Sequence, residues 1–87
     1  MYKVVYKKQV VKFLQKQELP IRKKVIDFFD DIKISQEHLY NYDVKPMKGF
    51  SNKYRLRIAK FRIIFSIEDE QLIIEVIRGG SRGDIYK

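Results

Sequence analysis

The sequence has no cysteine and no tryptophan, a single histidine, two prolines and four glycines in 87 residues. Without cysteine there are no disulfides and no thiolate ligands for zinc or iron–sulfur clusters. A chain this short must then fold by packing alone. The lack of cysteine suits a reducing cytoplasm, where the protein is expected to work. Continuous apolar runs are only a few residues long, far short of the ~18–20 that a membrane span requires, so no membrane association is expected. The opening residues, Met1-Tyr2-Lys3-Val4-Val5-Tyr6, alternate and run into Lys7 and Lys8, which gives no apolar region for a signal peptide. The lone His38 lies in an irregular stretch with no sequence partner for a Ser/His/Asp triad, and it reads as a solvated loop residue. Carboxylates cluster only at Asp27/Asp30/Asp31, on the wet side of a helix, and at Glu68/Asp69/Glu70, in a turn. Neither set converges, so no metal and no small-molecule cofactor is expected. Gly79-Gly80 lacks the following helix and the Gly-Lys-Ser/Thr ending that a P-loop needs. Acid is scarce too: 11 Asp and Glu stand against 19 Lys and Arg, a net charge of +8.

What is present is enough apolar material for a core. Hydrophobic residues make up 45% of the chain, with six Phe and six Tyr, which separates it from disordered sequences. A chain of this length is one domain, 1–87, and buries only about 60–65% of its unfolded surface. Residues 2–6 alternate as a strand, with Tyr2, Val4 and Tyr6 on one face. From Val10 the period becomes helical, with Val10, Phe13 and Leu14 as the stripe. Pro20 fits the first turn of a second helix, whose stripe is Ile21, Val25, Phe28, Phe29 and Ile32. Arg22, Lys23, Asp27, Asp30 and Asp31 are expected on its wet side. Residues 34–49 are the longest loop. Three strands follow over 53–58, 60–67 and 71–77, with a tight hairpin at Ala59-Lys60, and Gly79-Gly80-Ser81 is expected to end the last. The order is β-α-α-β-β-β: an α+β fold with an antiparallel sheet and an αα-hairpin packed on one face.

The basic residues are patterned. Lys53, Arg55 and Arg57 fall at i, i+2 and i+4, on the strand face opposite Tyr54, Leu56 and Ile58. Across the hairpin come Lys60 and Arg62, the latter beside the arginines of the preceding strand. Arg78 and Arg82 leave the third strand nearby, with Tyr86 beyond. Scattered lysines serve solubility, whereas arginines gathered on one sheet face repel one another unless an anion arrives. A planar, permanently charged guanidinium suits bidentate phosphate contact. The composition and this face together point to a polyanion, RNA first.

The segments Val44-Lys45-Pro46-Met47-Lys48-Gly49, Tyr54-Arg55-Leu56-Arg57, Phe61-Arg62-Ile63-Ile64-Phe65 and Arg82-Gly83-Asp84-Ile85-Tyr86, in this order, resemble the RelE/ParE toxin superfamily over essentially the whole chain. The resemblance implies a toxin paired with a cognate antitoxin. A RelE-type member would be a metal-independent endoribonuclease cutting mRNA in the ribosomal A site by attack of the 2′-OH on the adjacent phosphate. A ParE-type member would instead inhibit DNA gyrase by protein binding, and a third possibility is an RNA-binding relative with weak catalysis. Carried over by position, Arg57, Arg62, Arg82 and Tyr86 are the catalytic candidates: Arg62 for charge on the phosphate, Tyr86 to orient substrate or stack on a base. Lys53, Arg55, Lys60 and Arg78 are the RNA-binding candidates. Gly80 stands where the best-known RelE pattern has arginine, so Arg82 or Arg78 would have to serve. Arginine is a poor base, which leaves Lys53 and Lys60 as alternative candidates for that role.

Overall fold

The computed structural model describes residues 1–81. Its elements are β1 (Lys3–Tyr6), α1 (Lys8–Gln15), α2 (Leu19–Ile32), a 3-10 helix (Gln36–Asn41), β2 (Val44–Pro46), β3 (Lys53–Ile58), β4 (Phe61–Glu68) and β5 (Ile73–Ser81). They form one five-stranded sheet in the order β1-β5-β4-β3-β2. The meander β3-β4-β5 is antiparallel as expected, while β1 joins β5 in parallel, with Tyr6 opposite Val76. That pairing follows from the connection: the two helices carry the chain from the β1 edge across one face before it re-enters as β2 at the other edge.

The helices bury the stripes that their periods define. Val10, Phe13 and Leu14 of α1 and Val25, Phe28, Phe29 and Ile32 of α2 pack on Leu56, Ile63, Phe65, Ile67, Ile74 and Val76. Phe28, Phe29 and Phe65 form a triangle of edge-to-face rings with centroids 4.8, 5.5 and 5.2 Å apart. Each such pair adds about 0.5–1.5 kcal/mol beyond burial, a useful margin in so small a core. Pro20 sits in the first turn of α2, where its missing N–H leaves no bond unmade. None of the described helices is long and apolar enough to cross a membrane.

The stretch 34–49 is more ordered than a loop. Phe28 receives the Tyr42 ring at 4.7 Å, the Tyr42 hydroxyl donates to Asp31 at 2.8 Å, and His38 Nδ1 meets the same carboxylate. Asp31 is thereby drawn off the expected wet side and pins the 3-10 helix to α2. The Tyr42 hydroxyl first, and then His38, hold the Asp31 carboxyl below its ordinary value. Arg22 departs from expectation as well: it is half-buried, and its Nε has no hydrogen-bond partner among the described residues.

The expected break at Gly79-Gly80-Ser81 does not occur; β5 runs through to Ser81. Two devices hold it. An added Cβ on Gly79 would lie 2.7 Å from Phe13 Cδ2, so glycine alone lets α1 lie this close. The Gln9 carboxamide then bonds both ways to Gly79, accepting from its N–H and donating to its carbonyl at 2.8 Å each. Gln9 so continues the ladder along the β5 edge after β1 has ended at Tyr6.

Gly79→Ala should cost about 1–3 kcal/mol, because an added Cβ would stand 2.7 Å from the largely buried Phe13 ring. Urea titration checks it, and an unchanged midpoint would show that α1 has room. For Asp31 the depressed folded value means that its stabilisation is complete above the ordinary carboxylate range and is lost as pH falls through the folded value. The stability gap between wild type and Asp31→Asn should therefore shrink between about pH 5 and pH 2, read from urea midpoints at each pH. A gap that stays constant over that window would remove the carboxylate from its role as the pin.

Candidate nucleic-acid interface

The strand registers place the arginines. Arg57 on β3 lies directly opposite Arg62 on β4, and Arg62 opposite Gly80 on β5. One row along, Lys45, Arg55, Ile64 and Arg78 run across four strands. The next row carries Lys53, Ser66 and Glu75. All belong to the sheet face opposite the helices, because Leu56, Ile63 and Phe65 alternate with them into the core. Ile64 and Ser66 are buried between the rows, so the floor is closed and mainly apolar while the cations stand around it.

Arg78 reaches this face through a bulge. Ile64 pairs with Arg78 but the next residue, Phe65, pairs with Val76, so Ile77 is an extra residue in β5. Ile74 and Val76 point into the core. Strict alternation would send Arg78 there too, and the inserted residue turns it to the arginine face and brings Gly79 against Phe13.

Six of the eight predicted site residues are thus placed. Arg55, Arg57, Arg62 and Arg78 share two adjacent rows. Lys53 sits at the far end of β3, its ammonium 4.4 Å from the centre of the Phe50 ring. Lys60 is in the β3–β4 turn, 5.5 Å from the centre of the Phe61 ring, just past the Arg57–Arg62 pair. Arg82 and Tyr86 lie outside the described residues. His38 is on the helix side of the molecule with Asp31 and plays no part here. Among the described residues no three His, Asp or Glu side chains gather as a metal site.

Arg57 approaches Asp43 only at 4.0 Å, with both side chains about half exposed, a contact of little energy. The Arg62 Nε is buried and has no hydrogen-bond partner among the described residues. A buried guanidinium N–H left unmade costs free energy that an incoming phosphate oxygen would recover. Sequence reasoning missed Gln9, the residue that steadies the strand carrying Arg78; its only sign was a polar side chain at the start of a helical stripe.

A profile of the family described as "ParE toxin of type II toxin-antitoxin system, parDE" matches residues 4–86. Among solved structures, RelE in the archaeal RelE–RelB complex of Pyrococcus horikoshii is 27% identical with a TM-score of 0.81, covering 94% of this chain and 96% of that one. The RelB–RelE antitoxin–toxin complex of Methanococcus jannaschii gives 26% and 0.79, with 95% of each chain covered. The isolated RelE toxin of E. coli shares the fold at a TM-score of 0.75 and 17% identity, over 99% and 92%. No curated protein sequence matches significantly.

The cross-strand pairing of Arg57 with Arg62 should work against stability. Arg62→Gln, which relieves that repulsion and the unmade bond, should raise stability by roughly 0.2–1 kcal/mol at low salt, with a smaller gain as salt screens the pair. Thermal unfolding at several salt concentrations reads this. A clear loss of stability would mean that Arg62 is held by structural partners and is no anion site.

Proposed function

The chain belongs to the ParE toxin family of type II toxin–antitoxin systems, within the RelE/ParE superfamily, and from that premise we propose that it is a RelE-type endoribonuclease acting on mRNA, with the ribosome as its setting and a cognate antitoxin as its inhibitor. The observation that carries the reading is the facing pair Arg57 and Arg62, flanked by Arg55 and Arg78, over a closed sheet face. The toxin–antitoxin complexes among the similar structures support an antitoxin partner.

The chemistry asked of this face is charge stabilisation. When the 2′-oxygen attacks the neighbouring phosphorus, the 2′ proton must leave and negative charge builds on the non-bridging oxygens. The bond to the 5′-oxygen then breaks, that oxygen takes up a proton, and a 2′,3′-cyclic phosphate remains. Arg57 and Arg62 supply fixed donors to the phosphate oxygens, on a rigid sheet that needs no reorganisation during the reaction. Arg55 and Arg78, one row away, suit the adjoining phosphate. Lys53 and Lys60 remain the two candidates for removing the 2′ proton, and Lys60 stands nearer the Arg57–Arg62 pair along the chain. Arg82 and Tyr86 retain the roles that the family resemblance implies, charge stabilisation and substrate orientation.

The family match itself favours a second reading, inhibition of DNA gyrase by protein binding. It makes no use of a phosphate-sized cluster of guanidiniums, which is why it ranks behind.

Arg62→Ala should abolish toxicity and transcript cleavage while the fold and antitoxin binding survive, because the side chain lies on the face away from the core. Losing a donor aimed at transition-state charge costs about 10²–10³ in rate, roughly 3–4 kcal/mol. Growth on induction, mapping of transcript 5′ ends and gyrase supercoiling are measured together. Full toxicity of Arg62→Ala with gyrase inhibited would replace the nuclease by the gyrase reading.

A further inference from the structure

A second basic feature lies beside the arginine face and meets it at Arg78. Between α1 and the end of β5 runs a groove of about 680 Å³ lined by Phe13, Phe61 and residues 79–81 together with several cations. Lys12 of α1, Lys16 at its C-terminal cap, Lys60 of the β3–β4 turn and Arg78 are among its lining residues. Among the described residues no carboxylate lines it, and Lys12, Lys16 and Lys60 are exposed and in no salt bridge.

The sequence places Lys12 and Lys16 by helical spacing. Lys8, Lys12 and Lys16 recur at i, i+4 and i+8, so they make one ridge along α1 beside the buried stripe of Val10, Phe13 and Leu14. Eight residues of helix rise about 12 Å. Of the three lysines, Lys12 and Lys16 line the groove, and their four-residue separation spans about 6 Å, room for two successive phosphates of an extended strand. The like charges of an exposed convex ridge would simply be solvated. Here Lys12 and Lys16 share a concave channel with Lys60 and Arg78, where an anion lying between them would relieve their mutual repulsion.

We propose that this groove is a track for the phosphodiester backbone of the substrate RNA strand beyond the scissile position, with Lys12, Lys16 and Lys60 holding successive phosphates as the strand leaves the arginine face past Arg78. The inference rests on the nuclease reading and deepens it: the substrate is recognised as an extended single strand several nucleotides longer than the reacting pair. Lysine contacts of this kind are indifferent to base identity, so the track supplies affinity and direction while leaving sequence choice to other contacts.

The test uses 2′-O-methyl RNA oligonucleotides, which have no free 2′-OH and survive the assay. Fluorescence anisotropy of the full chain is read with a four-nucleotide and a twelve-nucleotide strand over a range of potassium chloride concentrations. The expected result is that the longer strand binds wild type more tightly and with a steeper salt slope. In the double variant K12A/K16A the extra slope falls by about 1.4, two phosphates at ~0.7 each, and the advantage of length shrinks at least tenfold. Because both positions are exposed and alanine favours helix, the variant keeps its fold, which circular dichroism verifies. If the short strand binds in an Arg62-dependent way and the double variant keeps the whole advantage of length, the track is wrong and the nuclease reading stands. If neither strand binds wild type, the track falls together with that reading.

Discussion

The face on which Arg78 stands is decided by one extra residue in β5. Ile77 has no partner on β4, and by interrupting the alternation it lets Val76 and Gly79 both point toward the helices while Arg78 points away. The price of this device is a strand that passes beyond the end of β1 with an open edge and two glycines, a combination that should fray. The Gln9 carboxamide takes the place of a neighbouring strand at Gly79, and the Phe13 ring packs on the space where a side chain would be. Helix α1 is thereby coupled to the arginine face. Its apolar stripe fixes where β5 runs, and β5 sets Arg78 on the sheet face of Arg62, one row away.

Stability and function pull in opposite directions on this small domain. The core closes through interlocked rings around Phe28, Phe29 and Phe65, and the 3-10 helix is pinned by Tyr42 and His38 on Asp31. Around Asp31 that side satisfies its polar groups, the Nε of Arg22 excepted. The other side does the reverse: Arg57 and Arg62 face each other, and Arg62 keeps a buried N–H without a partner among the described residues. An 87-residue chain has little margin to spend in this way, so concentrating the cost on one sheet face is what a site for a highly charged ligand requires.

Much of this was legible in the residues. The change of period at Val10 and the alternation after Lys53 gave both helices, the meander and the core, since 3.6- and 2-residue periods fix which side chains are buried. The facing of Arg57 and Arg62 followed from a two-residue hairpin, which sets the register of the strands it joins. The parallel pairing of β1 was not legible, because alternation marks a strand without naming its neighbour. The bulge at Ile77 was hidden for a related reason: the run of Ile73, Ile74, Val76 and Ile77 is apolar on both faces and masks a slip in period. Gly79 and Gly80 read as a strand ending because glycine generally weakens strands, and only the packing of Phe13 and the reach of Gln9 explain why here they do not. His38 and Asp31, seven residues apart, meet only because the chain turns back along α2.

The family alone leaves two targets, messenger RNA or gyrase, and the guanidinium cluster is what supports messenger RNA in the function proposed above. The most direct measurement is the chemistry of the ends produced when purified wild-type protein is mixed with translating ribosomes and a defined message in the presence of a chelator. The account predicts cleavage that persists under chelation and leaves a 2′,3′-cyclic phosphate on one fragment and a 5′-hydroxyl on the other. An intact message, with supercoiling by purified gyrase blocked by the same protein, would contradict it.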